Sequence, residues 1–147
     1  MKLYHKLEIE INRSVDDVGE LFRDRTLIAK WQHGLLSSDP LPTLDGKLRY
    51  KLIFQFGRRK MIMTETIMLD DLPKQYHVVY KMKGVRQSIH NSFSLVDNTT
   101  TIWKAETEFH FSGLMSLIAR FMKPGFEQQS SALMRSFKAM AESDSRQ

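Results

Sequence analysis

The sequence predicts an α+β fold: a curved antiparallel sheet laid against one long C-terminal helix. Three observations predict it. First, in Ser112 to Glu142 the apolar residues Leu114, Leu117, Ile118, Phe121, Met122, Phe126, Leu133, Met134, Phe137 and Met140 recur at three- and four-residue steps, which places them on one helix face. About 30 residues at roughly 1.5 Å each make a rod of about 45 Å. Second, from Gly46 to Phe111 amphipathic segments follow one another with only turn signals between them, the mark of hairpin-joined antiparallel strands. Third, such a sheet cannot bury its apolar face alone, and the terminal helix is the large complementary surface.

The elements follow in order. Leu3, His5, Leu7, Ile9 and Ile11 alternate with Tyr4, Lys6, Glu8 and Glu10, a half-buried first strand. Ser14 is a good N-cap, and Asp16 and Asp17 suit the positive end of the helix that follows. Val18, Leu21 and Phe22 give that helix an apolar face. A second short helix spans Arg25 to Trp31, with Leu27, Ile28 and Trp31 inward. Leu35-Leu36 reads as a short strand that Asp39-Pro40 and Leu41-Pro42 end. Leu48, Tyr50, Leu52, Phe54 and Phe56 form one side of the next strand. In its partner, Arg59 to Leu69, methionines, isoleucines and threonines blur the alternation, so no inward face is assigned. Tyr76, Val78, Tyr80 and Met82 form another strand. Val85, Ile89, Phe93 and Leu95 then share one side of the following one. Trp103, Ala105, Thr107, Phe109 and Phe111 alternate along the last. Ser112 is the expected N-cap of the long helix, and Pro124-Gly125 is expected to break it into two bent pieces.

A chain of 147 residues, 41% hydrophobic and 27% charged, fits a single domain over residues 1–147 with a real core. The net charge of +5 and pI near 9.5 are moderately basic. Arg58-Arg59-Lys60 clusters at a turn, where a solvated hairpin tip explains it more simply than a phosphate contact. No nucleic-acid partner is expected. Cysteine is absent, which excludes disulfides, thiolate metal sites and cysteine nucleophiles. The N-terminus lacks the apolar run of a signal peptide, and no uncharged apolar run reaches membrane-spanning length. A cytoplasmic protein without a transmembrane segment is the expectation.

The stretches Ile9-Glu10-Ile11-Asn12-Arg13-Ser14-Val15-Asp16-Asp17-Val18, Trp31 with Gly34-Leu35, Thr66 through Gln75, and Phe111-Ser112-Gly113-Leu114 into Met122-Lys123-Pro124-Gly125-Phe126, taken in this order, resemble the SRPBCC superfamily. That group includes START-like lipid-binding, pollen-allergen-like and polyketide cyclase-like proteins. The resemblance spans nearly the whole chain. It implies a helix-grip fold of about seven strands, with two short helices after the first strand and an apolar cavity between sheet and long helix. It selects no single activity, because carriers, cyclases, co-chaperones and dioxygenase domains share the fold.

Candidate ligand-binding residues follow from strand parity and the helix stripe. They are Tyr50, Phe54, Phe56, Met63, Asn91, Trp103, Phe109, Phe121, Met122 and Phe126. Patterning alone fits a packed core equally well, and the resemblance favours a cavity. Tyr50, Tyr80, Glu65, Gln87, Asn91 and Thr107 are polar groups that parity can place on the concave face. Of these, Glu65, Tyr50 and Asn91 are the catalytic candidates as acid, base or carbonyl orienter. A buried Glu65 would have its pKa raised by desolvation, but a solvated glutamate is the simpler expectation, as a satisfied structural residue is for Asn91. His5, His33, His77, His90 and His110 show no metal-ligand spacing, so no metal and no cofactor are expected. There is no phosphate-cradling glycine loop and no Gly-x-Ser-x-Gly elbow.

Three functions fit. The first is a binding or carrier protein for a small hydrophobic or amphipathic ligand. The second is a polyketide cyclase, aromatase or dehydratase-type enzyme. The third is an interaction module whose basic surface contacts an acidic protein or an anionic membrane.

Overall fold

The computed structural model describes residues 1–145, apart from the side chain of Ile118, so the expectation for that side chain lies outside what is described. The element order is β1 (Lys2–Ile11), α1 (Val15–Arg23), a 3₁₀ turn (Arg25–Leu27), α2 (Ile28–Trp31), β2 (Leu35–Leu44), β3 (Lys47–Phe56), β4 (Arg59–Asp71), β5 (Gln75–Met82), β6 (Val85–Asp97), β7 (Thr100–Phe111) and α3 (Met115–Ser143). The strands form a seven-stranded sheet in the order β1-β7-β6-β5-β4-β3-β2, antiparallel throughout. Consecutive strands are neighbours except that β1 joins β7, so the first and last strands lie together under α3. α3 packs on β1, β7 and α2, which leaves it standing away from β3, β4 and β5.

Ser14 caps α1 as expected, its hydroxyl accepting from the Asp17 amide at 3.2 Å. Three expectations change. β2 runs through Pro40 and Pro42 instead of ending before them. It is an edge strand with register shifts at Leu35/Ser37 and Leu41/Leu44, and an edge tolerates residues that cannot donate to the ladder. Ser112 is not the cap of α3: its amide donates to the Gly84 carbonyl at 3.0 Å, and Leu114 takes the cap position without a side-chain bond. The approach is close, because a Cβ on Gly84 would lie 2.8 Å from Met115 Cγ. Finally, α3 is assigned as one helix from Met115 to Ser143 with Pro124 inside it, not as two pieces.

The core forms two clusters. Ile11, Val18, Leu21, Trp31, Trp103 and Phe137 lie in the larger one, among α1, α2, the C-terminal half of α3 and the sheet. Phe109, Phe111 and Ala119 form the smaller one, under the N-terminal half of α3. Among the described residues no helix is long and apolar enough to cross a membrane.

Candidate functional site

A cavity of about 450 Å³ lies between the concave face of the sheet and α3, near the low end of the roughly 300–1,000 Å³ typical of small-molecule sites. Aromatic groups gather at both of its ends. At one end Phe22 meets Trp31, Tyr76, Phe93, Trp103 and Phe137 at 5.2–5.4 Å between ring centres. At the other, Phe126 of α3 stacks on Phe109 at 4.7 Å and Phe111 at 5.6 Å. Methionines and aliphatic residues of β4, β5 and β6 line the wall between.

Polar groups gather on one side. Glu65 of β4 is 2% exposed and lines the cavity, which corrects the expectation of a solvated side chain. Met61, Met63 and Glu65 share one parity of β4 and turn inward together, paired with Phe54, Leu52 and Tyr50 of β3; the register shift between Ile67 and Leu69 comes only after them. Arg25, from the 3₁₀ turn, donates to Glu65 Oε1 at 2.7 Å and to Ser38 Oγ at 2.6 Å, and its guanidinium lies 3.7 Å from the centre of the Tyr50 ring. This pairing supplies the opposite charge that a buried carboxylate requires. Opposite Glu65 in the β4–β5 register is Tyr80. Burial, then the Glu65 carboxylate, push the Tyr80 hydroxyl well above its ordinary range, and the same two causes raise Tyr76. Both phenols therefore keep their protons at neutral pH and remain hydrogen-bond donors.

The other polar residues differ in how far they are already committed. Asn91 is buried, accepts from Trp103 Nε1 at 2.9 Å and donates to the Tyr76 carbonyl at 3.2 Å. Its amide thus holds Trp103 in place against the cavity. Gln32, Gln87 and Thr107 also line the wall. Arg25 Nε and Trp31 Nε1 have no hydrogen-bond partner among the described residues, yet both atoms are closed over and offer the cavity no donor. His5 is buried beside Phe109, with Nε2 at 3.1 Å from Ser130 Oγ.

Of the ten residues expected at the ligand, eight line the cavity: Phe54, Phe56, Met63, Asn91, Trp103, Phe109, Met122 and Phe126. Two are placed elsewhere. Tyr50 is outside the lining and serves as the platform under Arg25. Phe121 is 85% exposed on the outer side of α3. Met115, Ala119, Met122 and Phe126 form the inward stripe there, while Leu114, Leu117 and Phe121 form an outward stripe of equal periodicity. Among the catalytic candidates, Glu65 and Asn91 meet at the cavity and Tyr50 does not. Arg25 was missed. Its signal was its three-residue spacing from Ile28, which puts the arginine on the same face as a residue expected to point inward.

Among the described residues no three His, Asp or Glu side chains are arranged to hold a metal ion. The sheet does bring His77 and His90 together, 3.8 Å between ring centres on its convex face, a pairing that sequence spacing does not show.

No protein-family model matches the chain, and no curated protein matches it. Solved structures do. The Zhui aromatase/cyclase from Streptomyces sp. R1128 matches with a TM-score of 0.82 and 16% identity, over 99% of this chain and 97% of that one. The chain has the helix-grip fold. Norcoclaurine synthase from Thalictrum flavum, in complex with dopamine and hydroxybenzaldehyde, matches at 0.71 with 14% identity, over 99% and 90% of the two chains. The di-domain aromatase/cyclase StfQ of the steffimycin biosynthetic pathway matches at 0.78 with 9% identity, over 97% of this chain and 51% of its own. At these identities the likeness is one of fold.

Proposed function

We propose that the protein binds a small hydrophobic or amphipathic molecule in this cavity and acts as a carrier for it. The observation that supports the reading is the cavity itself: about 450 Å³ of space with a largely apolar wall, aromatic at both ends and polar on one side. Burying the ligand's apolar surface yields about 25 cal/mol per Å², and the phenols of Tyr76 and Tyr80 orient a carbonyl or hydroxyl. Solvent extraction of the purified protein followed by mass spectrometry tests this. Trp31 and Trp103 both line the cavity, so their fluorescence reports titration with an apolar dye. A protein that yields no extractable molecule and leaves both tryptophans unchanged on titration is not a carrier.

A second reading has its own support. Glu65 and Tyr80 face each other at the cavity wall, and two of the similar structures are those of aromatase/cyclases. In a cyclase-type reaction, the Tyr80 hydroxyl donates to a ligand carbonyl while Glu65 removes a proton from the adjacent carbon. Turnover of a poly-β-ketone thioester surrogate that survives in Glu65→Gln and Tyr80→Phe would remove this reading.

A further inference from the structure

Three segments ring the end of the cavity at the N-terminal half of α3. The β3–β4 turn sends Phe56 and Met61 into the lining, the β5–β6 turn sends Met82 and Val85, and α3 sends Met115 and Met122. The bond from the Ser112 amide to the Gly84 carbonyl ties the last two segments together.

This rim differs from the rest of the molecule in two ways. On its outer side Leu114, Leu117 and Phe121 are 83%, 71% and 85% exposed, one stripe on one helix. Residues 56–61, 82–85 and 112–126 also hold Arg58, Arg59, Lys60, Lys83, Arg120 and Lys123, and no Asp or Glu. These are six of the chain's 22 Lys and Arg and none of its 17 Asp and Glu, so the remainder carries 16 basic against 17 acidic residues. The net positive charge of the protein therefore sits on the rim. None of the six forms an ion pair among the described residues.

We propose that this rim docks on the surface of an anionic lipid bilayer. Leu114, Leu117 and Phe121 enter the boundary between headgroups and acyl chains, and the six cations lie among the lipid phosphates. Charge complementarity selects this occupant. A second copy packed face to face would set uncompensated cations against their own kind. The docked orientation turns this end of the cavity toward the bilayer, which adds a source or destination to the carrier reading without depending on it.

The test is cosedimentation of the purified protein with vesicles of phosphatidylcholine alone, and with vesicles containing about one quarter phosphatidylglycerol. Binding to the anionic vesicles should be at least about tenfold stronger. It should weaken as salt rises from about 0.1 M to about 1 M and the screening length falls from about 10 Å to about 3 Å. Arg120→Gln and Lys123→Gln should each reduce partition by about fivefold. The double variant Leu117→Ser, Phe121→Ser should lose binding while keeping the wild-type melting temperature, because both side chains are exposed in the fold. Equal or absent binding to the two vesicle types overturns the proposal, as does unchanged binding by the double variant. A wild-type dimer that Phe121→Ser converts to monomer assigns the face to a second copy instead, and salt-sensitive capture of an acidic protein without vesicle binding assigns it to that class. Vesicle binding with nothing extractable from the cavity and no tryptophan response to an apolar dye supports docking while ending the carrier reading. An extractable ligand without vesicle binding does the reverse.

Discussion

Asn91 and Glu65 face the same cavity and differ in what already holds them. Both polar atoms of the Asn91 amide are engaged, one by Trp103 and one by the Tyr76 backbone, so its contribution is to position Trp103. Glu65 accepts from Arg25 and is hydrogen-bonded to the phenol of Tyr80 opposite, which keeps its proton. His5 gives a prediction at this scale. Burial lowers its pKa below the ordinary 6.5, with Glu127 acting against the shift and Lys123 with it. Below about pH 6.5 the unfolded chain takes up a proton that the folded chain refuses. The neutral His5 therefore contributes stability that is complete above that pH and is lost as pH falls toward the depressed folded value. The melting temperature should drop between pH 7 and 5.5, and the His5→Gln profile should be flatter. His77, lowered by its own burial and then by His90 and Arg86, supplies part of the remaining slope. Parallel profiles for wild type and variant would rule His5 out. Of these residues, parity indicated that His5 and Asn91 point inward. It could not indicate Glu65, because apolar residues on both sides of β4 and a register shift after Ile67 blur the alternation, or Arg25, whose partners are 13 and 40 residues away in sequence.

Two elements carry predictions about packing and motion. Gly19 lies in the middle of α1, where alanine is favoured by about 1 kcal/mol on helix propensity. A Cβ there would lie 2.8 Å from Pro73 Cβ and 3.0 Å from Pro73 Cα, on the β4–β5 connection. A rigid ring and backbone cannot yield as a flexible side chain does, and overpacking costs about 1–3 kcal/mol. Gly19→Ala should therefore destabilise the protein by about 1 kcal/mol in urea denaturation; a stabilised variant would show that the contact relaxes freely. Pro124 sits inside α3, exposed, with no N–H to offer the Arg120 carbonyl. Pro124→Ala should raise stability by about 1 kcal/mol or more. If the first half of α3 gates the cavity, the same change should also slow release of a bound apolar dye in stopped-flow displacement. Unchanged release in a stabilised variant would leave Pro124 without a gating role. The proline's position was plain in the sequence. That the helix continues through it was not, because tertiary packing on both sides of the break can outweigh a lost hydrogen bond.

Across the whole molecule the central prediction concerns the space itself. Gln87 lines the wall, opposite Tyr80 on one side and Phe109 on the other, and has no side-chain hydrogen bond among the described residues. Gln87→Phe should fill part of the cavity, lower affinity for an apolar dye at least about tenfold in fluorescence titration, and leave the melting temperature within a few degrees. Unaltered affinity would place the ligand elsewhere. The sequence by itself determined the α+β class, the order of elements and most of the concave-face residues, because period-two and three-four patterns reflect burial that strands and helices impose locally. It placed Leu114, Leu117, Phe121, Met122 and Phe126 on one face of α3, whereas the structure divides them between two stripes. Which of the two stripes turns inward was decided only by the tertiary structure, through the packing of the helix on β1, β7 and α2 and the tie between Ser112 and Gly84. That choice places Met122 and Phe126 at the cavity and leaves Phe121 on the surface. Two stripes of equal periodicity have the same local pattern, and only contacts with distant strands distinguish them.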